Sequence, residues 1–327
     1  MLPTVVRAVL LGLAGPVLTG VPLTHAAEAY PSKPIRMVVP WSPGGGSDVS
    51  GRIVAAKLSE ALGQQVVVDN RPGAAGNLGT ALASKATPDG YTILLADTGF
   101  STGISLYANP GYHPLKDYAP VSLAATTPIV AVVHPSVPVN SIKELIALAK
   151  AQPGKINIGS GGTGGSVHLA GEMFQLQTGT KFTHVPYKGS GPAVIDLTAG
   201  IVQAMFSTAP PVVPMIKANR LRALAVASNN RSTFLPDVPT TKEAGLVDFV
   251  ADNWYGVLVP TGTPKAAIDR LHREIAKAVV QPDARDRLAG AGLEPRASAT
   301  PPEFGAFVEN DVARWGKVIK QAGIRIE

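Results

Sequence analysis

Two glycine-rich loops hold the residues best suited to chemistry in this 327-residue chain. The first, Pro40-Trp41-Ser42-Pro43-Gly44-Gly45-Gly46-Ser47-Asp48, follows the apolar run Ile35-Arg36-Met37-Val38-Val39. The second, Gly159-Ser160-Gly161-Gly162-Thr163-Gly164-Gly165-Ser166, follows Ile156-Asn157-Ile158. Each then enters a segment with helical spacing. A strand–loop–helix junction leaves unpaired backbone N–H groups at the positive end of a helix dipole, which favours an anion. Two such junctions, far apart in the sequence, predict two half-sites that close on one ligand.

The side chains in and around these loops narrow the chemistry. Gly159-x-Gly161-x-x-Gly164 matches a dinucleotide fingerprint, but the acidic residue that should follow about twenty positions later is missing, and His184 stands there instead. Neither loop ends in the Gly-Lys-Ser/Thr of a phosphate-binding loop. There is no G-x-S-x-G elbow and no H-E-x-x-H, and His113, His134, His168, His184 and His272 lack metal-ligand spacing. The chain has no cysteine, which removes thiol catalysis, sulfur-ligated zinc and disulfides. The expectation is a protein without cofactor, metal or catalytic residue. Ser42, Ser47, Ser160, Thr163 and Ser166 supply hydroxyls; singly each reads as a turn residue, together they suit a carboxylate held by neutral donors. Asp48 either caps the helix or positions a bridging water, since its own charge would repel an anion. His168, in the first turn of the second helix, reads either as a ligand or water contact or as a packing group. Lys188 either neutralises a second carboxylate or stays solvated.

Elements that could position these loops are legible along the chain. Residues 1–26 read as a cleaved export signal: Arg7, a largely apolar run from Ala8 to Val21, and a small-residue site ending at Ala26, with Ala29 as the rival cut. The formal net charge is +6, from 29 Lys and Arg against 23 Asp and Glu, and the cations are scattered, which argues against a nucleic-acid surface. Buried strands are expected at Ile35–Val39, Val66–Val68 and Tyr91–Leu95, with a helix from Val49 to Leu62 stopped by Gly63. Val121–Ala125 and Ile129–Val133, interrupted by Thr126-Thr127-Pro128, form a candidate crossing. Ser141-Ile142-Lys143-Glu144 is a capping box opening a helix to Lys150. Strands at Ile156–Ile158, Thr183–Val185, Val202–Phe206 and Leu221–Ala227 follow, then a return crossing at Trp254–Val259 and three terminal helices. This alternation predicts an α/β fold of two lobes, the first (27–126 plus 253–327) from both ends of the chain and the second (127–252) from its middle. The two crossings make a hinge, with a ligand cleft at the carboxyl ends of the strands.

The chain also resembles a known family. Pro34 to Asp48 (PIRMVVPWSPGGGSD) resembles the opening motif of the Bug family, the periplasmic solute receptors of tripartite tricarboxylate transporters. Val68–Asn77, Pro88-Asp89-Gly90-Tyr91-Thr92, His168-Leu169-Ala170-Gly171-Glu172, Val185–Gly189, Leu235–Thr240, Glu243–Leu246 and Trp254-Tyr255-Gly256 continue the likeness in order. Trp41, where an aliphatic or phenylalanine is more usual, and the third glycine, Gly46, depart from the pattern. The resemblance implies a two-lobed periplasmic binding protein of the type II, flytrap class. It implies that Ser42, Pro43, Gly44, Gly45, Gly46 and Asp48 on one loop, and Ser160, Gly161, Thr163, Gly164 and His168 on and beside the other, pinch one carboxylate. Gly76 and Thr98 would line the first-lobe wall, with Tyr187, Phe206 and Ser207 approaching from the second. The implied role is a monomeric receptor for a small organic carboxylate (di- or tricarboxylate, aromatic acid or acidic amino acid), delivered to membrane transporter subunits. A receptor for a sensor kinase and an exported hydrolase are the alternatives.

Overall fold

The computed structural model describes residues 30–324 together with Met1; the rest of the expected export signal, 2–26, lies outside the described residues. β1 (Ile35–Val39) leads through the first glycine loop into α1 (Gly46–Leu62), β2 (Val66–Asn70), α2 (Asn77–Ser84), β3 (Thr92–Asp97) and α3 (Thr98–Leu106). The 16-residue β4 (Tyr118–Val133) carries the chain into the middle segment. There α4 (Ile142–Ala151), β5 (Asn157–Ser160), α5 (Ser166–Thr178), β6 (Thr183–Pro186), α6 (Ser190–Thr198), β7 (Ala204–Thr208), α7 (Ala209–Lys217) and β8 (Arg222–Val226) follow. β9 (Asp252–Pro260) returns, and α8 (Lys265–Ala278), α9 (Pro282–Gly290), β10 (Glu294–Pro295) and α10 (Pro301–Ala322) complete the chain.

The strand order is β2-β1-β3-β9-β4 on one side and β4-β7-β5-β6 on the other, with β8 and β10 also pairing β4. β1 is parallel to β2 and β3, and β5 to β6 and β7, as the alternation of strands and helices predicts. β9 is antiparallel to both β3 and β4, and β4 is antiparallel to β7, so the crossing strands break the parallel pattern. β4 also runs unbroken where the sequence suggested an interruption. Thr126, Thr127 and Pro128 pair with Trp254, Asn253 and Asp252. Pro128 is tolerated because it stands where β4 exchanges partners: pairing with β9 ends at Pro128 and pairing with β7 begins at Ile129.

Two lobes with separate cores result. One core consists of buried residues between 129 and 251, centred on Phe174, whose ring lies 4.8 Å from Phe206 and 6.0 Å from Phe249. Residues 35–125 and 254–308 supply two more, where Phe304 of α10 meets Trp254 edge-on at 5.7 Å, and a small cluster of Leu106, Leu169, Trp315 and Ile319 bridges the lobes. Half of the capping box forms as expected, with Ser141 Oγ accepting the Glu144 N–H, while the Glu144 carboxylate reaches one residue further back and accepts the Asn140 N–H. α3 was not expected, because Gly99, Ser101, Thr102 and Gly103 are weak helix formers. Burial of nearly all its residues and the Asp97 cap, which accepts the Gly99 N–H at 2.9 Å, hold it instead. Among the described residues no helix is long and apolar enough to cross a membrane.

Candidate functional site

The two glycine loops meet. Ser42 donates through both its N–H (3.2 Å) and its Oγ (2.7 Å) to the Lys188 carbonyl of the opposite lobe. From the other side, Thr102 Oγ1 donates to the Gly164 carbonyl at 2.9 Å and Tyr107 OH to the Thr163 carbonyl at 2.8 Å. Trp41 lies between the lobes, with its indole against Gly76 and Gly99 on its own side and against Gly165 on the other.

Both helices that follow the loops start at a glycine, Gly45 and Gly165, with no side-chain cap. Their first-turn N–H groups therefore lack the partner that a Ser, Thr, Asp or Asn cap would give. These ends face one small cavity, lined by Gly45, Gly46 and Ser47 from α1 and by Gly161, Gly165, Ser166 and Val167 from the second loop and α5. Trp41, Asp97, Ser190, Thr208, Asn253 and Tyr255 complete the wall. Ser190 opens α6, Thr208 stands at the start of α7 without capping it, and Asp97 caps α3, so five helices begin here. No Lys or Arg is among the described residues that line it. Trp41 Nε1, Thr208 Oγ1 and Tyr255 OH are buried without a hydrogen-bond partner, although buried polar groups are nearly always paired. Gly46 has to be glycine at this approach, since a Cβ there would overlap the Tyr255 hydroxyl and lie 2.8 Å from Thr208 Oγ1. The cavity volume is about 30 Å³, room for a water or two. A dicarboxylate does not fit in that volume.

The residues expected at the site divide into groups. Gly45, Gly46 and Gly161 line the cavity, and Pro43 and Gly44 pack against Gly191 across the cleft. Asp48 shapes the loop from behind: its carboxylate accepts the Gly44 N–H (3.0 Å), the Asn70 amide (3.0 Å) and the Arg52 guanidinium (2.9 Å). Burial pushes its pKa up, but these three partners outweigh burial and hold it below the usual carboxylate range. A folded pKa below the unfolded one gives stability that is present above about pH 4 and lost as pH falls through the folded value. Asp48→Asn is therefore expected to cost roughly 1–2 kcal/mol at pH 7, a difference that urea titrations at pH 7 and pH 3 should show shrinking towards zero at the lower pH.

The remaining expected residues have other partners. Ser160 Oγ lies 2.6 Å from His184 Nε2, not beside His168, and accepts the Gly162 N–H. His168 accepts the Gly164 N–H through Nδ1 and stacks on His184 at 4.2 Å; burial, together with His184, pushes its pKa down to about 3, so it packs as a neutral ring. Tyr187 OH donates to Asp196. The Thr98 N–H donates to Asn253, and its hydroxyl is buried. Phe206 belongs to the lobe core and Ser207 Oγ donates to the neighbouring Thr208 carbonyl, so it is Thr208, two residues beyond Phe206 on β7, that reaches the cavity. Ser190 and Asn253 had no local signal, and Tyr255 stood in a family-like motif, Trp254-Tyr255-Gly256, that carried no site role. Asp97 had one: an acid directly after Ile93-Leu94-Leu95-Ala96 marks a strand's carboxyl end.

Comparison with known proteins shows the family. Residues 51–324 match the model of the tripartite tricarboxylate transporter family receptor. The chain is similar to Protein BugT of Bordetella pertussis, at 40% identity over 97% of this chain and 95% of that protein. Among solved structures it is similar to the periplasmic binding protein BugD (TM-score 0.88, 36% identity, 91% of this chain and 100% of that one). It is equally similar to R. palustris Rpa4515 with adipate (TM-score 0.88, 35% identity, the same coverage). The chain belongs to the family of tripartite tricarboxylate transporter receptors, the periplasmic binding proteins to which its Bug-like motifs pointed.

Proposed function

We propose that this protein is a periplasmic receptor that binds a small organic carboxylate between its lobes and delivers it to membrane transporter subunits. The observation that carries this reading is the convergence of two uncapped helix N-termini, one from each lobe, on a cavity whose wall holds neutral donors, no Lys or Arg, and a single carboxylate, Asp97. Such ends hold a carboxylate through N–H groups with no counter-cation. The adipate in the related Rpa4515 structure fits the same ligand chemistry. In this reading the chain is exported by cleavage after Ala26 or Ala29 and acts as a monomer. Residues 27–126 plus 253–327 close against residues 127–252 because ligand binds the closed arrangement more tightly than the open one.

No bond is made or broken in this mechanism. Ser160 and His184 touch, but Ser160 is almost fully buried and His184 stacks on a second neutral histidine rather than being oriented by a carboxylate. The test is titration calorimetry of the mature chain with di- and tricarboxylates, aromatic acids and amino acids; heat from none of them overturns the reading. Trp41 lines the cavity and is 8% exposed, so the ligand that gives heat is also expected to shift tryptophan emission. Trp41→Phe should remove most of that shift, because Trp254 and Trp315 are buried away from the cavity.

A further inference from the structure

Asp97 ends β3 inside the cavity wall and is 6% exposed. Its Oδ2 accepts the Ser47 hydroxyl at 2.7 Å and its Oδ1 accepts the Gly99 N–H at 2.9 Å. A carboxylate accepts about four hydrogen bonds, so Asp97 keeps acceptor capacity beyond Ser47, Gly99 and the neighbouring Trp41 indole. Capping α3 does not require a charge, since Asn or Ser caps as well as Asp. No cation neutralises Asp97: the groups acting on it are Ser47, Gly99, Trp41 and another acid, Asp311. Burial pushes its pKa up to about 6.

The cavity therefore presents both signs. The α1 and α5 N–H groups attract an anion, and one buried carboxylate in the same wall attracts a cation or a strong donor. Around it, Thr208 Oγ1 and Tyr255 OH are more than nine-tenths buried and make no hydrogen bond, so the wall is built for a polar occupant. A second carboxylate brought beside Asp97 would meet a like charge where little water screens it. An ammonium there would form a charge-assisted hydrogen bond.

Resting on the carboxylate reading above, we propose that Asp97 selects ligands bearing an ammonium group near the carboxylate, so that the preferred class is amino acids and related zwitterions rather than dicarboxylates. The ligand carboxylate takes the two helix ends and its ammonium takes the free lone pairs of Asp97. The same wall then excludes plain dicarboxylates of matching length.

The test is calorimetry of the mature chain with matched probes: the common amino acids, γ-aminobutyrate and 5-aminovalerate against malate, succinate, glutarate and adipate. At least one ammonium-bearing acid is expected to bind ten times more tightly than any dicarboxylate. Asp97→Asn keeps the cap on α3 and is expected to lose at least tenfold in affinity for that ligand, with no loss for its analogue lacking the amino group. Selective binding of dicarboxylates overturns the proposal while leaving the carboxylate reading intact. So does dicarboxylate binding with uptake of a proton, measured in two buffers of different ionisation enthalpy. Heat from no carboxylate at all overturns both readings. If Asp97→Asn does not fold, the wild-type selectivity alone decides.

Discussion

Gly191→Ala is expected to leave both lobes folded and to weaken ligand binding by about two orders of magnitude, roughly 2.7 kcal/mol. Gly191 is the second residue of α6, in the first turn, where alanine has the better helix propensity and no positive φ stands in the way. Its Cβ, however, would overlap the Pro43 carbonyl and lie 3.1 Å from Gly44 C and 3.2 Å from Gly45 N. All three are backbone atoms of the opposite lobe, in the loop that shapes the α1 terminus, so no side-chain rotation relieves the clash. The penalty falls only on the closed arrangement, and a clash of that kind is typically worth 1–3 kcal/mol. A ligand whose affinity depends on closure loses that amount. Gly290→Ala is the control, since a Cβ there meets nothing. Calorimetry and thermal melting on the same preparations separate the effects: the expected pattern is lost affinity with an unchanged melt. Wild-type affinity in Gly191→Ala would show that closure through this contact contributes nothing to binding.

That contact also shows what the sequence could disclose. Both glycine loops, the strands that feed them and the helices they open were readable from periodicity and composition, because strand-to-helix turns are built from neighbouring residues. The lobe cores follow from the same signal, with β1 and β3 apolar along nearly their whole length. Residues brought in by long-range pairing were not readable. Tyr255 reaches the cavity because β9 inserts antiparallel beside β3, which places it opposite Asp97, and nothing near Tyr255 in sequence announces that register. Thr208 was missed for a smaller reason: the apolar run ends at Phe206 while the strand continues two residues further, to the capping position of α7. Phe206 took the site role in the sequence reading and a core role in the fold, since an apolar ring four to six ångströms from Phe174 and Phe249 gains more by burial than it could at a polar wall. His168 and Ser160 sit beside the site but spend their hydrogen bonds on the loop itself, a distinction that only three-dimensional partners reveal.

Separate cores imply separable stability, and paired truncations should show it. Phe174→Ala removes a fully buried ring from the middle-segment core, where it touches Phe182, Phe206 and Phe249. Phe304→Ala removes one from the other lobe, where it covers Gly256 and meets Trp254. Each is expected to cost about 3–5 kcal/mol, the usual range for emptying such a site. The chain's three tryptophans, Trp41, Trp254 and Trp315, all lie outside residues 127–252. Trp254 is buried wholly in the lobe built from the chain ends, while Trp41 and Trp315 also touch the middle lobe. The emission of a variant that keeps only Trp254 therefore follows the first lobe, while far-ultraviolet dichroism follows both. In Phe174→Ala the dichroism transition should begin at lower denaturant than the emission transition, because the middle lobe opens first. In Phe304→Ala emission should lead. The two losses should add in the double variant, since the rings belong to different clusters and share no partner. Coincident transitions in both single variants would mean that the crossing strands β4 and β9 couple the lobes into one cooperative unit, and the hinge would then have to flex without either lobe loosening.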